Sequence, residues 1–128
     1  KMQKWITESN YGNKKIENNI DRFWLDGKLA ISANEQIDFL EKLINNKLPF
    51  DKKNQETVKE IMITDSTENY IIHSKTGWSN SIGWNVGFVE TENTIWIFAL
   101  NIDMNDIKMA KIRKTITYDI LKKQKIIE

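Results

Sequence analysis

The sequence predicts an α+β fold in which a three-stranded antiparallel β-meander packs against helices. Two observations support this prediction. Apolar side chains recur at helical spacing over residues 32–62, and the pattern changes to the two-residue alternation of strands over residues 70–103. A second helical pattern then closes the chain. Strands grouped together between helices, without strand–helix alternation, are typical of the α+β class.

Three helices are predicted before the strands. Residues 2–8 have helical spacing and no capping residue before them, so we expect the chain to begin inside a helix and residues 1–128 to form one partial domain. Ser32 and Glu35 form a capping box at the start of the second helix, and Pro49 marks its end. Asp51 begins a shorter third helix, whose inward side chains are expected to be Val58, Ile61 and Met62.

The meander is predicted from three apolar stretches joined by short polar turns. These stretches are residues 70–76, 82–90 and 94–103. The third is apolar on both faces from Ile95 to Leu100, so we expect it to be covered on both sides. Trp84 and Trp96 are then expected in the core. That expectation argues against carbohydrate stacking as their role.

A closing amphipathic helix is predicted over residues 108–123. Its buried face is expected to carry Met109, Ile112, Ile116 and Ile120. Arg113 would border that face, from where its side chain can reach a sheet edge.

Composition excludes several classes of function. The 19 basic and 18 acidic side chains give a net charge of +1, which provides no long-range field for nucleic acid or an anionic membrane. The chain has no cysteine and a single histidine, His73, so we expect no metal centre and no histidine-based catalytic triad. No apolar run is long enough to span a membrane in this segment.

The most informative motif is Lys75-Thr76-Gly77, at the end of the first predicted strand. Alternation places the Lys75 and Thr76 side chains on opposite faces, so a site that uses both must lie along the open edge of the strand. That edge also offers the backbone N–H of Trp78 to an oxyanion, and Gly77 lets a ligand approach the backbone closely. Taken alone, the tripeptide is explained better by a lysine that protects a strand edge from aggregation.

Other motifs stand in a definite order around this strand. Before it come Tyr11-Gly12-Asn13, the segment Phe23-Trp24-Leu25 and the capped helix, and after it come Ile82-Gly83-Trp84 and Arg113. In this order the set resembles the C-terminal part of class D (oxacillin-hydrolysing) serine β-lactamases. The likeness covers essentially every residue. It implies the C-terminal portion of the β-lactamase and penicillin-binding-protein transpeptidase-like fold.

The resemblance also implies roles for individual residues. Trp24 would steady a carboxylated lysine that acts as general base, with Leu25 walling the same pocket, and Arg113 would bind the substrate carboxylate. An indole N–H is only a donor and a guanidinium is a planar fork, so both suit anionic partners. Core packing explains Trp24 alone more simply, and a solvated helix rim explains Arg113 equally well. The implied catalytic residues are Lys75, Trp78 and Trp24, the substrate contacts are Thr76, Gly77, Trp78, Arg113 and Leu25, and the active-site loop is Tyr11, Gly12 and Asn13.

The implied activity is hydrolysis of penicillin-type antibiotics through a serine acyl-enzyme, with no cofactor. The family's Ser-x-x-Lys element is absent, because no serine here is followed three residues later by lysine. Its Ser-x-Val element is absent as well. We therefore expect this chain to be inactive alone and the complete protein to be a hydrolase of the periplasm or the cell exterior. Expected partners are β-lactam antibiotics and the N-terminal part of the same fold, and uncovered apolar surface favours self-association.

Two alternatives stay open. One is a β-lactam sensor domain, which shares the fold and is acylated without efficient turnover. The other is a catalytically silent truncated relic. Sensor domains tend to carry a small residue after Lys-Thr-Gly and to lack the helix arginine, so Trp78 and Arg113 favour the enzyme.

Overall fold

The computed structural model describes residues 1–17, 20–79 and 81–128. A 3₁₀ turn, Ile107–Lys111, precedes the last helix. In chain order the elements are α1 (Met2–Glu8), α2 (Ala33–Ile44), α3 (Lys52–Ile61), β1 (Ile63–Ser66), β2 (Tyr70–Ser79), β3 (Ile82–Thr91), β4 (Ile95–Asp103) and α4 (Ile112–Lys123). The strands form one antiparallel sheet in the order β1-β2-β3-β4. The α+β class is therefore confirmed.

Two apolar clusters lie on opposite faces of the sheet. On one face, Leu40 and Leu43 of α2 pack with Phe88 of β3. On the other, Leu121 of α4 packs with Ile72 of β2, next to Val89 of β3. Because Phe88 and Val89 are consecutive, the alternation of one strand supplies both clusters. The sheet is thus the middle of three layers.

The sheet has four strands instead of the predicted three, because β1 was missed. Its four residues, Ile-Thr-Asp-Ser, are too few to show an alternating pattern, and aspartate is unfavourable in strands. β1 pairs with β2 from Ser66, opposite Ile71, to Ile63, opposite His73. In the described part of the chain, β2 therefore has a free edge from residue 75 to its end.

The capping box of α2 is confirmed. The Glu35 backbone N–H donates to Ser32 Oγ at 3.2 Å, and the Ser32 N–H donates to Glu35 Oε2 at 2.8 Å. The helix ends at Ile44, where Asn46 takes a left-handed conformation with φ of 54°. The helix therefore ends before Pro49, at a turn formed by Asn46. Asparagine tolerates the left-handed conformation better than most residues.

The predicted inward face of α3 is wrong in two of three positions. Met62 is buried, but Val58 is partly exposed and Ile61 is 75% exposed. The buried side chain of the helix is Gln55, whose amide bonds the backbone N–H and carbonyl of Leu48. Those hydrogen bonds satisfy buried backbone groups of the loop, and they determine which face of α3 is buried.

The predicted burial of the closing helix is wrong at two of its four positions, whereas Met109 and Ile116 are half-buried. Ile112 and Ile120 are exposed, and the buried residues are Arg113, Thr117 and Leu121, one position further along the chain. This difference corresponds to a rotation of about 100° around the helix axis. The buried row makes polar contacts, from Asn85 to Thr117 and from Thr117 to Arg113 O, which a periodicity of apolar residues does not report.

The last strand is covered on both faces only in part: Ile97 packs against the α2-side cluster and Phe98 against the α4-side cluster, but the start of the strand is open. Ile95 is exposed and Trp96 is 47% exposed, so Trp96 is not a core residue, while Trp84 is half-buried. Among the described strands, β4 pairs only with β3 and forms an edge of the sheet. An apolar pattern on both faces is typical of central strands, and the pattern alone does not reveal the position of a strand in its sheet.

Candidate active site

An open cleft of about 940 Å³ lies where β2 runs beside α2 and the segments at residues 11–15 and 24–31. Of the residues predicted for the site, Gly12 and Arg113 do not line this cleft. All the others do: Tyr11, Asn13, Trp24, Leu25, Lys75, Thr76, Gly77 and Trp78. The apolar part of its wall includes Phe39, Leu40, Met62, Trp84 and Val86. The structure therefore brings together residues that lie more than 60 positions apart in the sequence.

The free edge of β2 faces this cleft with backbone donors. The N–H of Ser74 donates to Met62 O at 2.8 Å, on the side of β2 away from β3. Backbone groups in a strand alternate with a period of two, so the N–H groups of Thr76 and Trp78 point toward the same side. β1 pairs with β2 only as far as His73, which leaves these two donors available to a ligand.

Lys75 and Thr76 lie on opposite faces of the sheet. Lys75 is opposite Val86, which packs against the α2 side, and Thr76 is opposite Asn85, which is buried against α4. The ammonium of Lys75 nevertheless reaches the edge, because its Nζ donates to Thr76 O at 2.7 Å. Both side chains are thus available at the edge, as the alternation predicts.

Trp78 and Trp24, which both line the cleft, are held in place by different contacts. The indole Nε1 of Trp78 donates to Met104 O at 2.8 Å, which fixes the ring beside the end of β2. Trp24 is 55% exposed and packs edge-on against Phe23, with 4.9 Å between ring centroids. Phe23 is the buried member of the pair, so core packing does not explain Trp24. A bond from Ser79 Oγ to Leu25 O connects this segment to β2.

Asn13 is the structural centre of the Tyr11-Gly12-Asn13 loop. Its Oδ1 accepts from the Ala30 N–H at 3.2 Å, and its Nδ2 donates to Lys28 O at 2.8 Å. Gly12 has φ of 50°, and a Cβ there would lie 2.1 Å from Ala30 O, so only glycine fits. These contacts dock the loop against residues 28–30, which also border the cleft.

Tyr11 provides a neutral hydrogen-bonding group beside the cleft. Gln36 Nε2 donates to its Oη at 2.8 Å, and the ring packs edge-on against Phe39. Burial raises the pKa of the Tyr11 hydroxyl above its usual value, and the bond from Gln36 only partly opposes that shift. The phenol therefore stays protonated at neutral pH and is not a general base.

Arg113 reaches the Lys-Thr-Gly strand from the α4 side. Its side chain is 8% exposed, its Nε donates to Ala110 O at 3.0 Å, and its Nη1 donates to Gly77 O. Among the described residues, no carboxylate forms an ion pair with it. A buried charge without a partner is costly, so this guanidinium suits an anion from outside the chain.

The family model described as the penicillin binding protein transpeptidase domain matches residues 1–122. The chain belongs to this family. β-Lactamase OXA-48 from Klebsiella pneumoniae is 45% identical to this transpeptidase-family chain over 131 residues, covering 99% of it and 49% of the relative. A probable β-lactamase, YbxI, from Bacillus subtilis is 42% identical over 99% of the chain and 47% of its own length.

A solved structure shows the same similarity. FUS-1 (OXA-85), a class D β-lactamase from Fusobacterium nucleatum subsp. polymorphum, superposes with a TM-score of 0.94 at 43% identity, over 99% of this chain and 55% of that one. The resemblance to the C-terminal part of class D β-lactamases, and the transpeptidase-like fold that it implies, are confirmed. The chain spans about half the length of the relatives it matches.

Sequence reasoning missed three residues that support the site of this transpeptidase-family chain. Ser79 contacts Leu25, and Asn85 and Thr117 lie behind Arg113. Asn85 did carry a signal, since a polar residue within an apolar strand is unusual. Thr117 carried none. Within the described residues there is no group of three side chains suited to a metal ion, and no helix long and apolar enough to cross a membrane.

Proposed function

We propose that this chain is the substrate-binding part of a class D serine β-lactamase. In the complete protein, a serine from the sequence upstream of Lys1 attacks the β-lactam carbonyl and forms an acyl-enzyme. Water then hydrolyses this ester and releases the opened antibiotic. The observation that carries the proposal is the buried guanidinium of Arg113, which is bonded to Gly77 of the Lys-Thr-Gly strand and has no carboxylate partner among the described residues. Penicillins and cephalosporins carry a carboxylate, which is the group that this cation lacks.

The free edge of β2 supplies the oxyanion donor in this proposal. When the serine oxygen adds to the carbonyl carbon, negative charge develops on the carbonyl oxygen, and the Trp78 N–H stabilises it. The proton of the serine hydroxyl passes to the general base, and the lactam nitrogen takes up a proton as its C–N bond breaks. Lys75, with its ammonium at the same edge, stabilises negative charge around the reacting group. Both residues therefore contact the substrate directly.

Trp24 and Leu25 are proposed to border the general base. Trp24 lines the cleft with a partly exposed ring, so its indole N–H is available to an anion that enters there. The anion is a carboxylated lysine from the upstream Ser-x-x-Lys. Leu25 covers the same pocket and keeps water away from it. Tyr11, Gly12 and Asn13 complete the wall as a docked loop.

The carboxylate site lies on the α4 face of the sheet edge. Thr76, which borders the cleft, contributes its hydroxyl, and Arg113 contributes the positive charge next to Gly77 on the same face. Arg113 does not line the cleft itself, so the substrate carboxylate lies at the end of β2. The presence of both Trp78 and Arg113 supports an enzyme over a sensor domain.

Partners and location follow from the same proposal. The upstream part of the fold covers the cleft and supplies the nucleophile. Besides that part of the fold, we expect the β-lactam substrate to be the ligand, without a metal or cofactor. We propose a periplasmic or extracellular location, where β-lactams are encountered. Exposed Trp24, Ile95 and Trp96 give the chain alone a tendency to self-associate.

The test compares this chain with the same chain after its upstream sequence is restored, called the extended protein below. We expect the extended protein to hydrolyse the chromogenic cephalosporin nitrocefin and the 128-residue chain to show no turnover. Replacing the serine of the upstream Ser-x-x-Lys by alanine should abolish the activity. An extended protein that is folded by circular dichroism and yet inactive would contradict the proposal.

A further inference from the structure

We infer that Asn85 and Thr117 are positioning residues, which hold Arg113 at the substrate carboxylate by fixing the rotation of α4 about its axis. This inference rests on the proposed function of Arg113 and adds two residues to it. Neither contacts the cleft. Both act through the first turns of α4.

Two faces of α4 compete for the sheet. One is the apolar row Ile112, Ile116 and Ile120, which hydrophobic burial alone would turn inward. The other row contains Arg113, Thr117 and Leu121, and this is the row that is buried. Burial of an arginine and a threonine while two isoleucines stay exposed requires a specific polar contact.

Asn85 of β3 provides that contact. Its side chain is 1% exposed, and its Nδ2 donates to Thr117 Oγ1 at 2.9 Å. Thr117 Oγ1 in turn donates to Arg113 O at 2.8 Å, one helical turn earlier. Asn85 Oδ1 is buried without a partner among the described residues, so the bond from Nδ2 is the one that satisfies this amide. A rotation of α4 by one residue would remove it and leave the buried amide wholly unpaired, which opposes the gain from burying the two isoleucines.

The backbone beside Arg113 fits the same rotation. Gly83 faces α4, and a Cβ there would lie 2.9 Å from Arg113 Cδ and 2.9 Å from Met104 Sδ. The aliphatic part of the Arg113 side chain therefore occupies the space that the side chain of any residue other than glycine at position 83 would need. In the register of the sheet, Asn85 is directly opposite Thr76, the other proposed carboxylate contact. The polar pair thus joins α4 to the strand that binds the ligand.

A purely structural role is the alternative. Buried polar pairs contribute little net stability compared with apolar residues of the same volume, so stability alone does not require Asn85 and Thr117. Recognition does require them, because a charged group has to be held within about 0.5 Å of its productive position. The two roles are separable by experiment.

The test measures carboxylate discrimination by the full 128-residue chain. Benzylpenicillin and its methyl ester differ only in the charge of the carboxyl group. The ratio of their dissociation constants is obtained from ¹H–¹⁵N chemical-shift titrations. We expect the chain to bind benzylpenicillin roughly tenfold more tightly than the ester, the gain of one charge-assisted hydrogen bond. Thr117→Ser keeps the hydroxyl and should keep this ratio. Thr117→Val has the same volume without the hydroxyl, and the ratio should fall toward one.

The outcomes separate this inference from the proposed function. If Arg113→Ala leaves the ratio unchanged, Arg113 is not the carboxylate site and both proposals fail. If Arg113→Ala removes the discrimination but Thr117→Val keeps it, only the positioning role is overturned, even if the melting temperature falls. Asn85→Leu removes the donor at the other end of the bond, and it provides the same test should Thr117→Val not fold.

Discussion

Replacing Trp78 by proline in the extended protein is expected to lower kcat by about 10²–10³-fold relative to Trp78→Ala, the effect typical of losing one oxyanion donor. Proline removes the backbone N–H at this position and leaves the rest of the edge intact. The rate of nitrocefin hydrolysis under saturating substrate measures the effect.

Trp78→Ala is the matched control for this experiment. It loses the indole and its bond to Met104 O, as Trp78→Pro also does, but it retains the N–H. The comparison is structurally feasible because the N–H of residue 78 points to the free edge, where proline is tolerated. Circular dichroism and urea unfolding should show similar folds for the two variants. Equal kcat values would mean that the Trp78 N–H does not stabilise the transition state.

Replacing Arg113 by alanine is expected to lower kcat/KM of the extended protein for benzylpenicillin by about 10–100-fold, since charge-assisted hydrogen bonds contribute roughly 1.5–3 kcal/mol. The same variant should hydrolyse the methyl ester almost as well as the unaltered protein does. Arg113→Lys keeps the charge but not the planar fork, so we expect an intermediate loss. Steady-state kinetics on the two substrates checks all three values.

Arg113 also has structural contacts, so stability has to be measured alongside activity. Its nitrogens donate to Gly77 O and Ala110 O, and both bonds are lost in Arg113→Ala. A general disturbance of β2 would reduce hydrolysis of the acid and of its ester by the same factor. That result would assign Arg113 a structural role and remove the main support for carboxylate binding.

Local patterns in the sequence predicted the parts of the fold that depend on local interactions. The capping box at Ser32 and Glu35 needs only its own turn, and both of its bonds are present. The strands around Lys75 follow from alternation, and their pairing follows from short turns. The open edge beside residue 78 was likewise deducible from alternation, as the place where Lys75 and Thr76 both reach a ligand.

Features that depend on distant partners were not predictable in this way. Gln55 is buried where it bonds the backbone groups of Leu48, and we infer that the rotation of α4 depends on Asn85, more than 25 residues from Thr117 in the sequence. The exposure of Trp96 depends on the position of β4 at the sheet edge, which its own residues do not encode. In each case a polar contact or a sheet position overrode the apolar pattern.

Arg113 was identified from sequence motifs together with structural contacts. The ordered motifs identified Arg113 as a candidate, and the structure shows that it is buried and has no counter-ion among the described residues. The apolar periodicity had placed it at the rim of α4. In the structure α4 is rotated by one residue from the predicted orientation, so that Arg113 faces inward and its Nη1 donates to Gly77 O. That correction strengthens the case for a bound carboxylate.

The most direct test of the proposed class D activity is a time course of intact-protein mass after mixing with benzylpenicillin. We expect the extended protein to gain the mass of one penicilloyl group on a serine upstream of Lys1 and to lose it as substrate is consumed, while the 128-residue chain gains none. A folded extended protein that never acquires the adduct, or that keeps it for hours, would contradict the assignment as a β-lactamase.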